Sequence, residues 1–166
     1  MHLTVVTHPT PSLRDRSQEL DHDLLLSSDI QTLIDNMIPT MYADDGIGLA
    51  SPQIGQNIRI CIVGKDALKL DKKNTLPLED LILINPVWQK TSRKKEWDTE
   101  GCLSVPAVFG QVQRYKDITV TALDRHGHEL SFEAHNFFAR VIQHEVDHLD
   151  GILFIDKAKN LYRNTE

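Results

Sequence analysis

The stretch Gln143-His144-Glu145-Val146-Asp147-His148 sets two histidines four residues apart around a glutamate. In a helix each residue turns the chain by about 100°, so His144 and His148 point within about 40° of each other, one turn apart. Two imidazoles held in this way can share one metal ion. Glu145 beside them is placed to move protons for a water that the ion activates. Two histidines leave a metal under-coordinated, because catalytic sites usually combine three protein ligands with a water. Cys102 is a candidate third donor: Gly101 before it permits sharp backbone turning, and a metal would stabilise its thiolate. Glu100 is a weaker candidate. The competing reading is a pair of core histidines satisfied by hydrogen bonds alone.

The element that positions the histidines is legible in the surrounding residues. On a helical wheel Phe137 falls near the midline of the two histidines, two turns earlier. Val141 and Arg140 lie about 40° and 60° to either side of that line, and Glu145 about 80° from it. Phe138, Ile142, Val146 and Leu149 cluster on the opposite side. Such a helix is buried rather than laid on the surface.

The 166 residues are enough for one domain, residues 1–166, with a real core. A hydrophobic content of 40% and a charged content of 25% are ordinary for a globular chain. The net charge of −6 argues against a general grip on nucleic acid. No apolar run approaches the roughly 18–20 residues of a membrane span, and the N-terminus lacks a signal-peptide core, so a cytoplasmic location without membrane contact is expected. Cys61 lies in the strand-like run Ile58-Arg59-Ile60-Cys61-Ile62-Val63, where a cysteine acts as a small core residue.

Along the chain, residues 3–6 read as a short strand. Asp29 reads as the N-cap of a helix over 30–42, bent or broken at Pro39. Gly46 and Gly48 permit close approach of a backbone or ligand in the turn ending at Gln53. Residues 81–88 read as a strand, with exposed loops over 69–74 and 89–95. Residues 118–123 and 129–132 form a hairpin around Asp124-Arg125-His126-Gly127. Strands first and a buried helix late, without a regular strand–helix rhythm, indicate an α+β fold: mixed or antiparallel strands around the buried metal-binding helix.

Three stretches together resemble one family. Gly46-Ile47-Gly48-Leu49-Ala50-Ser51-Pro52-Gln53, Glu100-Gly101-Cys102-Leu103-Ser104 and Gln143-His144-Glu145-Val146-Asp147-His148 are similar to the three signature motifs of peptide deformylases, in order and at the usual separations. The likeness extends to Asn85-Pro86 and Ala122-Leu123-Asp124-Arg125, and so spans nearly the whole chain. It implies a metal held by Cys102, His144 and His148, with Fe²⁺ expected and Zn²⁺, Ni²⁺ or Co²⁺ also able to occupy the site. It implies Glu145 as general base and then acid, and an oxyanion held by Gln53 and the Leu103 N–H. The implied substrate is the N-formyl-methionyl end of a nascent polypeptide, and the products are formate and a free amine.

The candidate substrate contacts are Ile47, Gly48, Gly101, Phe137, Arg140 and Val141, of which Phe137 and Val141 share the metal-facing side of the helical wheel. Phe137 and Val141 offer an apolar wall suited to a flexible thioether. Arg140 departs from the apolar residue usual at its position. Its stem is expected to pack on the pocket rim, with the guanidinium in water or against the peptide beyond methionine. Ser51 and Ala107 also depart from the pattern, where Ala or Thr and glycine are common. Eighteen residues follow His148, so the long C-terminal helix of some bacterial members is expected to be short or absent. A transient ribosome contact through such a helix would have little chain to build on.

Two other readings compete. An H-E-x-x-H peptidase would need a third ligand downstream of the helix, where Asp156 is the best available. A peptide-binding module without turnover would have no use for a metal together with Cys102, Gln53 and Glu145.

Overall fold

The computed structural model describes residues 1–165. After a 3-10 turn at Pro11–Arg14 come helices α1 (His22–Leu25) and α2 (Ser28–Ala43), then strand β1 (Gly48–Ala50). A second 3-10 turn, Ser51–Ile54, leads to β2 (Ile60–Val63), helix α3 (Lys65–Leu70) and β3 (Leu81–Lys90). Strands β4 (Lys95–Cys102), β5 (Val105–Tyr115), β6 (Asp117–Leu123) and β7 (Glu129–His135) precede helix α4 (Asn136–Leu149). A last 3-10 turn, Phe154–Asp156, and β8 (Lys159–Arg163) follow. A strand thus stands after α4 where a helix would have continued it.

The strands form two sheets, one in the order β1-β2-β3-β6-β7 and one in the order β4-β5-β8, and all the paired neighbours are antiparallel. The fold is α+β, with α4 packed against both sheets. Toward the first sheet α4 turns Phe138, Ala139, Ile142, Val146 and Leu149, which join Cys61, Val63, Ile118, Val120 and Phe132 in one apolar cluster. Burying a large side chain of this kind contributes roughly 1.5–3 kcal/mol, so this face anchors the helix.

The β6–β7 hairpin forms where the alternation placed it, and its turn is closed by the Asp124 carboxylate, which accepts from the N–H groups of His126 (2.8 Å) and His128 (3.0 Å). Other expectations are corrected. Residues 3–6 form no strand: the Val6 N–H donates to the Gln53 carbonyl and the His8 N–H to the Ser104 carbonyl, each at 2.7 Å, so the segment braces two loops instead of extending a ladder. The cap of α2 is Ser27, whose Oγ accepts from the Ile30 N–H, not Asp29. The helix runs through Pro39, and Thr40 Oγ1 bonds the Asn36 carbonyl at 2.7 Å. Residues 65–70 are helical, and β3 reaches Lys90, which leaves only residues 91–94 as the loop to β4.

Candidate metal centre

Three elements converge on the histidines. Helix α4 supplies His144 and His148. Strand β4 ends at Cys102, and the turn Leu103-Ser104 joins it to β5. The 3-10 turn after β1 supplies Gln53. One donor atom each from Cys102, His144 and His148 lie within 4.8 Å of one another, and Cys102 Sγ is 3.3 Å from His148 Nε2. The two histidines set by their spacing and the cysteine that the resemblance added to them are therefore brought together. Asp156 is not among them: its carboxylate takes hydrogen bonds from Arg14 (2.5 Å) and from the Leu153 N–H (3.0 Å).

Glu100 is not a donor to this group but its support. His144 Nδ1 lies 2.8 Å from Glu100 Oε1, which fixes the ring so that Nε2 is left toward Cys102 and His148. Arg114 grips Glu100 with both sides of its fork, Nη2 to Oε1 at 2.8 Å and Nε to Oε2 at 2.9 Å, while its Nη1 donates to Asp147 Oδ2 at 2.5 Å. Burial alone would raise the Glu100 carboxyl, but the hydrogen bonds from Arg114 and His144 hold it well below the usual carboxylate range. Burial, reinforced by His144, pushes His148 well below its ordinary value, which leaves the neutral imidazole that a metal needs.

Glu145 is 3% exposed and its Oε2 has no partner among the described residues. Burial pushes its carboxyl up to about 7, against the pull of His144. A carboxyl titrating near neutrality is suited to both accepting and returning a proton. Gly48 makes room for it, since a Cβ there would sit 2.5 Å from Glu145 Oε1. The amide of Gln53 is held by its oxygen, which accepts from the Ala50 N–H at 2.9 Å. Its Nε2 is thereby aimed at Cys102 Sγ (3.5 Å) and Ser104 Oγ (3.3 Å).

Gln53, Glu100, Cys102, His144 and Glu145 border a pocket of about 490 Å³ that also contacts Ile47, Gly48, Gly101, Leu103, Phe137, Arg140 and Val141. Gly101 is packed under Phe109, whose ring a Cβ would meet at 2.6 Å. The Arg140 expectation is corrected. Its guanidinium reaches neither water nor the pocket mouth: it is buried beneath β4 and β5, donating to Glu100 Oε2 (2.6 Å), the Val112 carbonyl (2.9 Å) and the Glu96 carbonyl (2.7 Å). Sequence reasoning missed Arg114, Asp147 and Ser104. Arg114 alone left a signal, because in β5 it shares the inward parity of Gly110 and Val112.

Residues 2–164 match the family model for Polypeptide deformylase. The peptide deformylase of Desulforudis audaxviator is 38% identical over 162 residues, covering 98% of this chain and 97% of that protein. Peptide deformylase 2 of Vibrio cholerae is 43% identical over 155 residues, covering 93% and 84% respectively. Among solved structures, a Met-Ala-Ser-bound class I type b peptide deformylase from Acinetobacter baumannii superposes with a TM-score of 0.84 at 31% identity, covering 95% of this chain and 98% of that one.

Proposed function

Because this chain belongs to the polypeptide deformylase family of metal-dependent hydrolases, we propose that it removes the formyl group from the N-formyl-methionyl end of nascent polypeptides and releases formate. The observation that carries this reading is the meeting of Cys102, His144 and His148 beside a buried, unpartnered Glu145 that lines the pocket. The donor set fits a divalent ion: one soft thiolate and two imidazoles, one of them already oriented by a carboxylate. Fe²⁺ is the native ion in this reading, with Zn²⁺, Ni²⁺ and Co²⁺ compatible with the same donors. When bound, the ion supplies Lewis acidity and lowers the pKa of a water.

The chain's own residues do the rest. Glu145 takes the proton of the attacking water and delivers it to the leaving nitrogen. Gln53 Nε2 gives up one of its resting contacts, to Cys102 or Ser104, and with the Leu103 N–H holds the formyl oxygen as negative charge develops there. Losing one such donor typically costs about 2.7–4 kcal/mol of transition-state stabilisation. The methionine side chain lies against Ile47, Phe137, Val141 and the aliphatic stem of Arg140, and Gly48 and Gly101 line the same pocket with their backbone. The Met-Ala-Ser complex of the Acinetobacter relative supports a pocket for an N-terminal methionine in this family.

The test is anaerobic purification, metal analysis and measurement of formate released from formyl-Met-Ala-Ser. Wild type should release formate. Glu145→Gln should retain its metal and turn over about 10²–10⁴-fold more slowly. A wild-type protein that holds its metal and releases no formate from formyl-Met peptides would overturn the proposal.

A further inference from the structure

We infer that Arg140 is a positioning residue that acts on the metal centre through Glu100, drawing charge from that carboxylate and so limiting how strongly His144 donates to the ion. The inference rests on the metal-centre reading above. Arg140 stands one helical turn before His144, on the side of α4 that otherwise presents Phe137 and Val141 to the pocket. Instead of entering the pocket, its guanidinium is committed to protein acceptors, and its shortest contact is the 2.6 Å bond to Glu100 Oε2.

A carboxylate offers about four lone-pair sites, and those of Glu100 are filled. Oε1 accepts from Arg114 Nη2 and His144 Nδ1, and Oε2 from Arg114 Nε and Arg140 Nη1. The bidentate grip of Arg114, itself tied to Asp147, already fixes where Glu100 points. A second cation is not needed for orientation. What it alters is the charge density that Oε1 presents to His144. A carboxylate behind a ligating histidine raises the basicity of that ligand, and a cation beside the carboxylate opposes the effect. The thiolate of Cys102 would already donate heavily to the ion, so a restrained His144 preserves its electrophilicity.

The experiment compares wild type, Arg140→Met and Arg140→Lys, each loaded with Co²⁺ under anaerobic conditions. Two quantities are read: the energy of the thiolate-to-cobalt charge-transfer band and the rate of Co²⁺ release into a chelator. In Arg140→Met, His144 donates more strongly, so the band should move to higher energy. Release should slow about three- to tenfold, less than the 10–100-fold typical of changing an outer partner outright. Arg140→Lys keeps a cation beside Glu100 and should stay close to wild type in both readouts. Lys and Met are both unbranched, so a role in packing alone would move the two variants together, and that result overturns the inference. An unchanged band in Arg140→Met, or faster release, overturns it as well. Should Arg140→Met fail to fold, Arg140→Gln against Arg140→Lys gives the same contrast of neutral and charged side chains. Wild type that takes up no Co²⁺ would overturn the metal centre itself, whereas tight Co²⁺ with an unshifted band removes only the role of Arg140.

Discussion

The two faces of α4 are held by opposite means. Toward the five-stranded sheet, Phe138, Ala139, Ile142, Val146 and Leu149 pack into a continuous apolar cluster whose buried members include no ionisable group but the thiol of Cys61, which burial keeps protonated. Toward β4 and β5, Arg140, His144 and Asp147 meet Glu100 and Arg114, and these side chains are joined by ion pairs almost out of contact with water, while His148 meets Cys102. Apolar burial is non-directional and rewards any good fit. Desolvated ion pairs add little net stability, because the cost of leaving water offsets most of their attraction, but they permit only one arrangement. The first face thus gives α4 its stability, and the second sets the orientation of the proposed metal ligands.

The largest expected effect comes from cutting the second face at its chemical end. Cys102→Ala should release the metal and abolish formate production, while Cys61→Ala, on the apolar side, should leave both nearly unchanged. Metal analysis after gel filtration checks this, and full occupancy in Cys102→Ala would remove the thiolate from the assignment. Next in size is Arg114→Met, which leaves Glu100 and Asp147 buried without their shared partner. Breaking a buried pair from one side costs about 3–5 kcal/mol, to be read from urea unfolding of the metal-free protein. A loss below about 1 kcal/mol would mean that water already reaches these carboxylates.

How much of this was legible in the sequence follows the same division. The apolar face could be read directly, because Phe138, Ile142, Val146 and Leu149 recur at helical spacing and that period is local. The three residues proposed as ligands were legible because His144 and His148 share a turn and Cys102 sits in a distinctive motif. The support behind them was not. Glu100 shares its strand parity with Glu96 and Asp98, which are exposed, so alternation gave no hint that it alone is buried. Its partners come from 14, 40 and 44 residues away, distances at which sequence pattern carries no pairing information. Strand β4 escaped notice for the same reason: Lys95 to Thr99 are all exposed, and a polar run reads as loop unless its pairing with β5 is known. The Ser27 cap was passed over for Asp29 because both residue types cap helices well and only geometry chooses between them.

Acid should distinguish the faces more gently. Glu100 titrates well below the usual carboxylate range in the folded state. Its stabilising contribution is therefore complete above its unfolded value of about 4.3 and is lost as pH falls through the folded value. The metal-free protein should lose stability progressively below about pH 4.3, and the loss should be shallower in Arg114→Met, where the main cause of the depressed value is gone. Parallel pH profiles for the two proteins in urea unfolding would place the acid sensitivity elsewhere, for example at Asp117 or Asp156, which are also lowered.

The smallest effect tests whether the apolar face is as forgiving as its chemistry suggests. Ile142 is fully buried one turn beyond Phe138, on the side of α4 away from the pocket, and none of its atoms carries charge. Ile142→Val removes one methylene and keeps the branched shape, a change that typically costs about 0.5–1.5 kcal/mol. Nothing in that loss bears on the direction of His144, which is set from the other side by Glu100. Unfolding free energy should therefore fall by about that amount while metal content and kcat/KM for formyl-Met-Ala-Ser stay at wild-type levels. If Ile142→Val instead lowered kcat/KM tenfold with its metal retained, the apolar packing would also be setting ligand geometry, and the separation of roles between the two faces would fail.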